Sequence, residues 1–299
     1  MNKLDPRNIY DDLHQIPELG FEEFKTSAYL ADKLEAMGYK VTRNIGGTGV
    51  IGEIKGSEPG PVMMLRADMD ALPFLIDGEK KNIHACGHDA HSAMLLAAAS
   101  ELVGKVKRGT LRILFQQGEE TLKGALAVID AGVIEDVDIA LGLHIRPVQD
   151  IAYGEMSPAV RHASSTFVNV VINGLSSHGA RPHLGVNAIE AAAVAINAIT
   201  AIKINPIIPW SCKVTGIKGG GVAPNIIPDK VEMIVDARAQ TNEAMTELLE
   251  KLRRAVTNAA AALGATAEVT TPGGVIPAAE YDDELTAEVA ECIVEVRSE

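Results

Sequence analysis

The sequence has 299 residues, of which 47% are hydrophobic and 22% charged. At roughly 100–200 residues per domain, it is long enough for two globular domains, and its composition excludes a disordered, collagen-like or coiled-coil chain. The formal net charge of −13 repels phosphate backbones, which argues against nucleic acid as a partner. Because it has neither a signal-peptide pattern nor an uncharged apolar stretch of ~18 residues, we expect a cytoplasmic protein with no membrane partner.

Helix and strand patterns alternate through the first half of the chain. Apolar residues at helical spacing predict an amphipathic helix over residues 24–37. Three short apolar runs predict buried parallel strands, at 62–65, 111–115 and 139–143, and alanine-rich helices are predicted at 92–103 and 121–131. This alternation is typical of an α/β fold with a mostly parallel sheet covered by helices.

The pattern changes near residue 160. The predicted elements are strands at 166–172 and 230–238 and long helices at 187–202 and 243–263. They suggest a small α+β domain. The segment 205–228 contains several prolines and three consecutive glycines, so we predict a loop with at most short strands there. A last amphipathic helix is predicted at 281–297.

Polar residues follow each predicted strand of the first half. They are Asp68 and Asp70 after the first strand, Glu119 and Glu120 after the second, and His144 after the third. Because the carboxyl ends of parallel strands share one edge of a sheet, we expect these acids and the histidine to meet at a ligand-binding edge.

The segment His84-Ala-Cys86-Gly-His88-Asp89-Ala-His91 concentrates metal-ligating side chains just before the helix predicted at 92–103. Thiolate, imidazole and carboxylate together form a transition-metal ligand set, which suits zinc, manganese or cobalt. The alternative is a helix start whose polar side chains make only structural hydrogen bonds.

The adjacent pair Glu119 and Glu120 has two interpretations. Two neighbouring glutamates are usually a solvated surface. These two follow an apolar strand and a glycine, where one carboxylate can bind a metal while the other accepts a proton from water.

Seven motifs occur in an order that resembles the dinuclear metallopeptidase superfamily of aminoacylases and carboxypeptidase G-type enzymes. They are LHQIPELGFEE, LRADMDALP, HACGHDAHSAMLL, FQQGEE, GLHIRP, SHGARPHLGVNAI and GGGVAPNIIPD. Within that superfamily the sequence is most similar to the amidohydrolase branch, which includes hippurate hydrolase-like, auxin-conjugate and N-acetyl-diaminopimelate hydrolases.

The resemblance implies a site with two divalent metal ions (Mn, Zn or Co). The implied ligands are Cys86 as a bridging thiolate, His88, His144 and Glu120. Glu119 would be the general base for a metal-activated water, and Asp70 would orient a histidine ligand. Asp68 stands where other branches carry a histidine ligand.

The resemblance also implies a zinc-peptidase-like catalytic domain interrupted by a lid that forms homodimers. The catalytic domain would occupy 1–161, the inserted lid 162–275, and the start of the returning catalytic domain 276–299. In the lid, His178 would stabilise the oxyanion, often from the partner subunit, while Asn225 and Arg238 would hold the substrate carboxylate. Without the resemblance, these three residues would more often be an ordinary loop histidine, a turn asparagine and a surface arginine.

One feature departs from the family pattern. The resemblance implies another histidine ligand late in the chain, and this sequence has none after His183. We therefore expect a C-terminally truncated catalytic domain, with only one metal ion retained if the chain ends at Glu299.

The leading interpretation is a metal-dependent amidohydrolase that cleaves the amide bond of small N-acyl amino acids. One alternative is a truncated or degenerate family member that binds metal or ligand with little catalysis. The other is a dipeptidase of the same superfamily, against which Cys86 counts, because that thiolate goes with the amidohydrolase branch.

Overall fold

A computed structural model describes residues 3–298, which divide into two compact units between Glu155 and Met156. The helices of the first unit are α1 (Pro6–His14), α2 (Phe24–Ala36), α3 (His88–Leu102) and α4 (Gly124–Asp130). Its strands are β1 (Lys40–Ile45), β2 (Gly49–Lys55), β3 (Glu58–Asp68), β4 (Leu72–Ile76), β5 (Glu79–Ile83), β6 (Arg108–Gln116) and β7 (Ile139–Gly142).

The central sheet of the first unit has the strand order β1-β2-β6-β3-β7. Its three predicted strands, β3, β6 and β7, are mutually parallel, and β1 and β2 extend the sheet in antiparallel pairing. The predicted α/β fold, a largely parallel sheet with helices, is confirmed. The carboxyl ends of β3, β6 and β7 therefore lie side by side, so the residues that follow them can form one site.

Both faces of this sheet are apolar and covered. One face packs Ala67, Ile113 and Phe115 against residues of α1, α2 and α3. The other face packs Met64 and Leu114 into a smaller cluster with residues of α4. Burial on both faces is what a parallel strand requires. This apolar packing contributes to holding the strand ends in place.

Two local features place the motif that begins at His84. The hairpin of β4 and β5, which was not predicted, connects Asp70 to His84. Gly87 then adopts φ +84° directly before α3, a left-handed conformation that suits glycine. Because α3 begins at His88, the imidazoles of His88 and His91 are one helical turn apart on the same face.

The second unit is an antiparallel α+β layer. Its strands are β8 (Ser164–Asn173), β9 (Ser177–His178), β10 (Trp210–Gly219), β11 (Ile226–Ile227), β12 (Lys230–Ala239) and β13 (Thr266–Thr270), and its helices are α5 (Ala188–Thr200), α6 (Asn242–Ala262) and α7 (Asp283–Ser298). The four-stranded sheet has the order β10-β12-β8-β13, and α5 and α6 contribute to its apolar core.

The prediction for residues 205–228 was wrong in part, because this segment contains the ten-residue strand β10. Its prolines lie outside the strand, so they leave its ladder of hydrogen bonds intact. The side chains of Trp210, Cys212 and Val214 alternate along the strand and pack against the core, and β10 pairs with β12 along its whole length. Tertiary pairing therefore outweighed the local turn signals.

The predicted last helix is present as α7 and belongs to the second compact unit. The assignment of 276–299 to a returning catalytic domain stays a prediction, as does the boundary at residues 161–162. Among residues 3–298, none of the helices has the length and apolar character to cross a bilayer.

Candidate metal centre

The structure brings the predicted metal ligands together at the carboxyl ends of the parallel strands. Cys86 and His88 flank Gly87 at the start of α3, and Glu120 lies in a short 3-10 turn, Glu119–Thr121, that follows β6. One ligand atom from each of Cys86, His88 and Glu120 lies within 4.8 Å of the others. Thiolate, imidazole and carboxylate thus converge as the sequence predicts.

Two of the polar atoms that face this point have no hydrogen-bond partner. His88 is fully buried, and its Nδ1 is paired with Asp70 Oδ1 at 3.1 Å, so Nε2 carries the free lone pair. Neither this Nε2 atom nor Oε1 of Glu120, which is also buried, has a hydrogen-bond partner. Buried polar atoms without partners are costly, and a divalent cation would satisfy both. The residues therefore fit a metal ion.

His88 lies at a distance from Glu120 that agrees with ligands of a common ion. Its Nε2 atom lies 3.8 Å from Glu120 Oε1 and 3.9 Å from Glu119 Oε2. Both distances exceed a hydrogen bond. The distance to Glu120 Oε1 agrees with the ~3.3–3.8 Å that separates two ligands when each is about 2.0–2.3 Å from the same ion.

His144 adds a second imidazole on the other side of Cys86. Its Nδ1 donates to the carbonyl oxygen of Ile145 at 2.5 Å, so Nε2 is unprotonated and accepts a hydrogen bond from the thiol of Cys86 at 3.6 Å. Burial, together with the nearby carboxylates of Glu120 and Glu119, raises the pKa of Cys86 to about 12. The metal-free thiol is therefore neutral, and a bound cation would favour its thiolate form.

Asp70 connects two of the ligands. One carboxylate oxygen pairs with His88 Nδ1, and the other accepts a hydrogen bond from the backbone N–H of Glu120 at 3.0 Å. The side chain is buried. Asp70 thus contacts both an imidazole and the turn that carries a carboxylate, and its role in orienting a metal ligand stays a prediction.

Glu119 lies at the accessible side of the cluster. Its side chain is 36% exposed, whereas that of Glu120 is 22% exposed. Burial raises the pKa of Glu119, and the nearby carboxylates of Asp68 and Glu120 raise it further against the opposing charges of His88 and Arg66. A carboxylate that is partly open to solvent and has a raised pKa is suited to take up a proton.

Two buried acids beside the site were not assigned from sequence. Burial alone would raise the pKa of Asp68, but a hydrogen bond from His91 and the charge of Arg66 bring it below its usual value. Glu23 is fully buried and accepts hydrogen bonds from Gly118 N–H at 2.8 Å and from the hydroxyl of Thr48 at 2.5 Å.

Glu23 thereby holds the backbone immediately before Glu119. Its only signal in the sequence is its place in LHQIPELGFEE, a motif that carried the family resemblance without a chemical role. The hydrogen bond to Gly118 spans 95 positions along the chain, which no local pattern indicates.

The predicted substrate residues of the second unit fall into two groups. His178 pairs with Ile226 in the small β9–β11 ribbon, and the carbonyl oxygen of Asn225 accepts a hydrogen bond from Gly179 N–H at 2.7 Å, so His178 and Asn225 are neighbours. Arg238 lies near the opposite end of β12 and donates to both carboxylate oxygens of Asp236 at 3.1 Å. Eight residue steps at about 3.3 Å give ~26 Å of strand between Lys230 and Arg238.

Comparison with known proteins identifies the class to which this fold and site belong. Residues 64–299 match the sequence profile of peptidase family M20/M25/M40. The chain is 36% identical over 292 residues to thermostable carboxypeptidase 1 of Saccharolobus solfataricus, covering 93% of this chain and 74% of that protein. The chain therefore belongs to the M20/M25/M40 peptidase family.

Two further relatives bear on the site. Hippurate hydrolase of Campylobacter jejuni is 36% identical over 255 residues, which cover 82% of this chain and 67% of that protein. The crystal structure of Bacillus subtilis YXEP protein, described as a dinuclear metal binding peptidase from the M20 family, is similar with a TM-score of 0.79 and 30% identity. That match covers 97% of this chain and 79% of the solved one.

Proposed function

We propose that this protein is a metal-dependent amidohydrolase that cleaves the amide bond of N-acyl amino acids. The observation that carries the proposal is the pair of buried, unpartnered atoms, His88 Nε2 and Glu120 Oε1, directly beside the partly exposed carboxylate of Glu119. The hippurate hydrolase relative supports this substrate class, because hippurate is an N-acylated amino acid.

We assign the ligands as Cys86, His88, Glu120 and His144. The group Cys86–His88–Glu120 would hold one ion, and His144, whose Nε2 lies 3.6 Å from the sulfur of Cys86, would hold a second that shares this thiolate. The soft thiolate and the imidazoles suit zinc or cobalt, and the carboxylates suit manganese. When bound, such ions polarise the amide carbonyl and lower the pKa of water.

The protein's own groups carry the proton. In this proposal Glu119 takes a proton from water as the water oxygen bonds to the amide carbonyl carbon, and then passes that proton to the amide nitrogen. The C–N bond breaks, which releases the free amino acid and the carboxylic acid. Asp70 keeps His88 and the turn at Glu120 in place throughout. Because Glu119 and Glu120 are adjacent on one short turn, a ligand and a base reach the same point from a single strand end.

For the second unit we propose a role as lid and homodimerisation domain over 162–275, with residues 276–299 beginning a returning catalytic segment. His178 is assigned to the oxyanion, and Asn225 and Arg238 to the substrate carboxylate. The ~26 Å of strand between the two ends of β12 exceeds the length of a small substrate. A site built from two subunits, with His178 and Asn225 of one and Arg238 of the other, would remove this difficulty.

The cytoplasm is the compartment we assign to this enzyme. Cys86, Cys212 and Cys292 are all free thiols in the structure. Free thiols, and above all a thiolate ligand, are maintained in a reducing compartment.

The test combines metal analysis with hydrolysis. The protein is loaded with Mn²⁺, Zn²⁺ or Co²⁺, and turnover of N-acetyl and N-benzoyl amino acids is measured before and after Glu119→Gln. We expect a loss of about 10²–10⁴-fold in kcat with metal content unchanged, as for removal of a general base. Glu135→Gln, at an exposed glutamate of the same unit, is the matched control and should retain activity.

The same assay distinguishes the proposed function from two alternatives, a peptidase and a binding protein. The carboxypeptidase relative favours a peptidase, so dipeptides belong in the panel, and faster cleavage of dipeptides than of N-acyl amino acids would replace the proposed substrate class. Metal bound without any turnover that depends on Glu119 would indicate a binding protein and would refute the enzyme assignment.

A further inference from the structure

His91 lies in the centre of the histidine cluster, where it could be mistaken for a metal ligand. One atom from each of Asp68, His88, His91 and His144 lies within 4.8 Å of the others. The rings of His91 and His144 are 4.4 Å apart, and His91 is fully buried. Proximity alone would therefore place four ligands around one ion.

The hydrogen bonds of His91 exclude it from that set. The backbone N–H of Ile145 donates to His91 Nε2 at 2.9 Å. Because a backbone N–H is always a donor, Nε2 is the acceptor, and the proton of the neutral ring is on Nδ1. That Nδ1–H donates to Asp68 Oδ1 at 2.5 Å. Neither nitrogen has a lone pair left for a cation.

Asp68 links this histidine to two strands. Its other carboxylate oxygen accepts a hydrogen bond from Arg66 Nη1 at 2.8 Å, and Arg66 Nε donates to Gln116 Oε1 on β6 at 3.1 Å. The hydroxyl of Ser92 donates to the backbone carbonyl of Asp68 at 2.8 Å. The end of β3, the end of β6 and the start of α3 are thus joined, and His91 extends the network to the segment after β7.

Ile145 is held from a second direction. A Cβ atom placed on Gly87 would be only 2.2 Å from Cδ1 of Ile145, so this side chain packs directly on the glycine between Cys86 and His88. His144 precedes Ile145 and donates its Nδ1–H to the Ile145 carbonyl. The amide, side chain and carbonyl of Ile145 therefore all define where His144 lies.

We propose that His91 is a positioning residue and not a metal ligand: its ring, held between Asp68 and the amide of Ile145, fixes the turn that presents His144 to the metal centre. The proposal rests on the assignment of His144 as a ligand. It gives a role to a histidine that the sequence left without one and to Asp68, the aspartate that stands where related branches carry a histidine ligand.

Two substitutions test the hydrogen bonds of the two His91 ring nitrogens separately. In His91→Gln the longer amide can place its oxygen near the former Nε2 and still accept from Ile145. In His91→Asn the shorter amide can donate to Asp68 but does not reach Ile145. The measured quantities are the number of Co²⁺ ions bound per chain, their dissociation constants, and the absorption spectrum of the Cys86 thiolate–Co²⁺ complex.

We expect His91→Asn to bind the wild-type number of ions with a dissociation constant raised about 10- to 100-fold, as for loss of other groups that orient ligands. His91→Gln should be weakened less. Both should retain the thiolate absorption band, because Cys86 is untouched. His144→Ala is the reference for a true ligand loss and should bind one ion fewer, while the exposed His183→Asn should match the wild type.

Three results would overturn the proposal: one ion fewer in either His91 variant, equal weakening in both, or wild-type affinity in His91→Asn. If a His91 variant fails to fold, Asp68→Ala removes the acceptor of the same hydrogen bond and should weaken binding without loss of an ion. These readouts do not depend on turnover. Failure of the proposed function would instead appear as wild-type protein that binds metal without hydrolysing any substrate of the panel.

Discussion

The two compact units bury different kinds of side chain. The first unit buries acids and imidazoles, among them Glu23, Asp68, Asp70, His88 and His91. Between residues 156 and 297, the buried polar side chains are only Ser164 and Thr166, and the core there is made of valine, isoleucine, leucine, methionine and alanine. The first unit thus carries a polar interior and the second an apolar one.

The unit with the polar interior is the one that contains the candidate metal centre. Burying a polar group is unfavourable unless it is hydrogen-bonded, so the first unit pairs its acids with histidines, an arginine and backbone amides. The atoms left over, His88 Nε2 and Glu120 Oε1, are those that a cation would satisfy. In the second unit the two buried polar side chains, Ser164 and Thr166, donate to backbone carbonyls, and the core is stabilised mainly by apolar burial.

The largest effect on folding is expected in the apolar unit. Leu252 on α6 is fully buried in the core, so Leu252→Ala should lower the free energy of unfolding by about 2–5 kcal/mol through lost burial and the cavity left behind. Leu263, 42% exposed, provides the matched control as Leu263→Ala. Urea denaturation measures stability, and Co²⁺ titration of folded protein should show unchanged affinity. Weakened metal binding in Leu252→Ala would show that the apolar core of the second unit also affects the metal centre.

A smaller effect, confined to the polar unit, is expected for Asp70→Asn. The amide can accept from only one of its two partners, so either His88 or the turn at Glu120 loses its support. Metal affinity should fall about 10- to 100-fold, measured by calorimetric titration. Asp11→Asn, at an exposed aspartate of α1, should leave affinity unchanged. Wild-type affinity in Asp70→Asn would show that the buried carboxylate is not needed to orient the ligands.

The smallest effect concerns the pH dependence of stability through Glu23. Burial raises the pKa of Glu23 above 4.5, although hydrogen bonds from Thr48 and Gly118 oppose the shift. A carboxyl group with a raised folded pKa binds a proton more tightly when folded, so its contribution to stability is lost as pH rises through that pKa. Glu23→Gln removes this loss while its amide oxygen can still accept from Gly118.

We therefore expect Glu23→Gln to gain stability relative to the wild type between pH 4.5 and pH 8, as measured by urea denaturation of the metal-free protein at both values. The neighbouring exposed residue Glu22 supplies the control, since Glu22→Gln should show no such trend. If the difference in stability between Glu23→Gln and wild type is the same at both pH values, the pKa of Glu23 is the same in the folded and unfolded protein, which contradicts the prediction.

The sequence predicted the parts of the fold and site that have a local signature. Apolar runs indicated the three parallel strands, and the placement of Asp70, Glu120 and His144 after them indicated a common edge of the sheet. Only a few residue types bind transition metals, so their high density around Cys86 indicated a metal site. In contrast, the strand β10 was missed because its pairing with β12 depends on a partner elsewhere in the chain. The hairpin after Asp70 was missed although its pairing is local and turns at Asp77 and Gly78, both with positive φ.

By itself, then, the sequence determined the family, the α/β class and the chemical types that meet at the site, since periodicity and ligand chemistry are properties of short segments. Only the tertiary structure decided which histidines have a free lone pair. Ligand chemistry alone does not distinguish His88 from His91, and only the family resemblance named His88 as a ligand. In the structure Asp70 leaves one nitrogen of His88 open, whereas Asp68 and Ile145 together occupy both nitrogens of His91. The reason is physical: a hydrogen bond is satisfied by whichever group folding brings within about 3 Å, however distant it is along the chain.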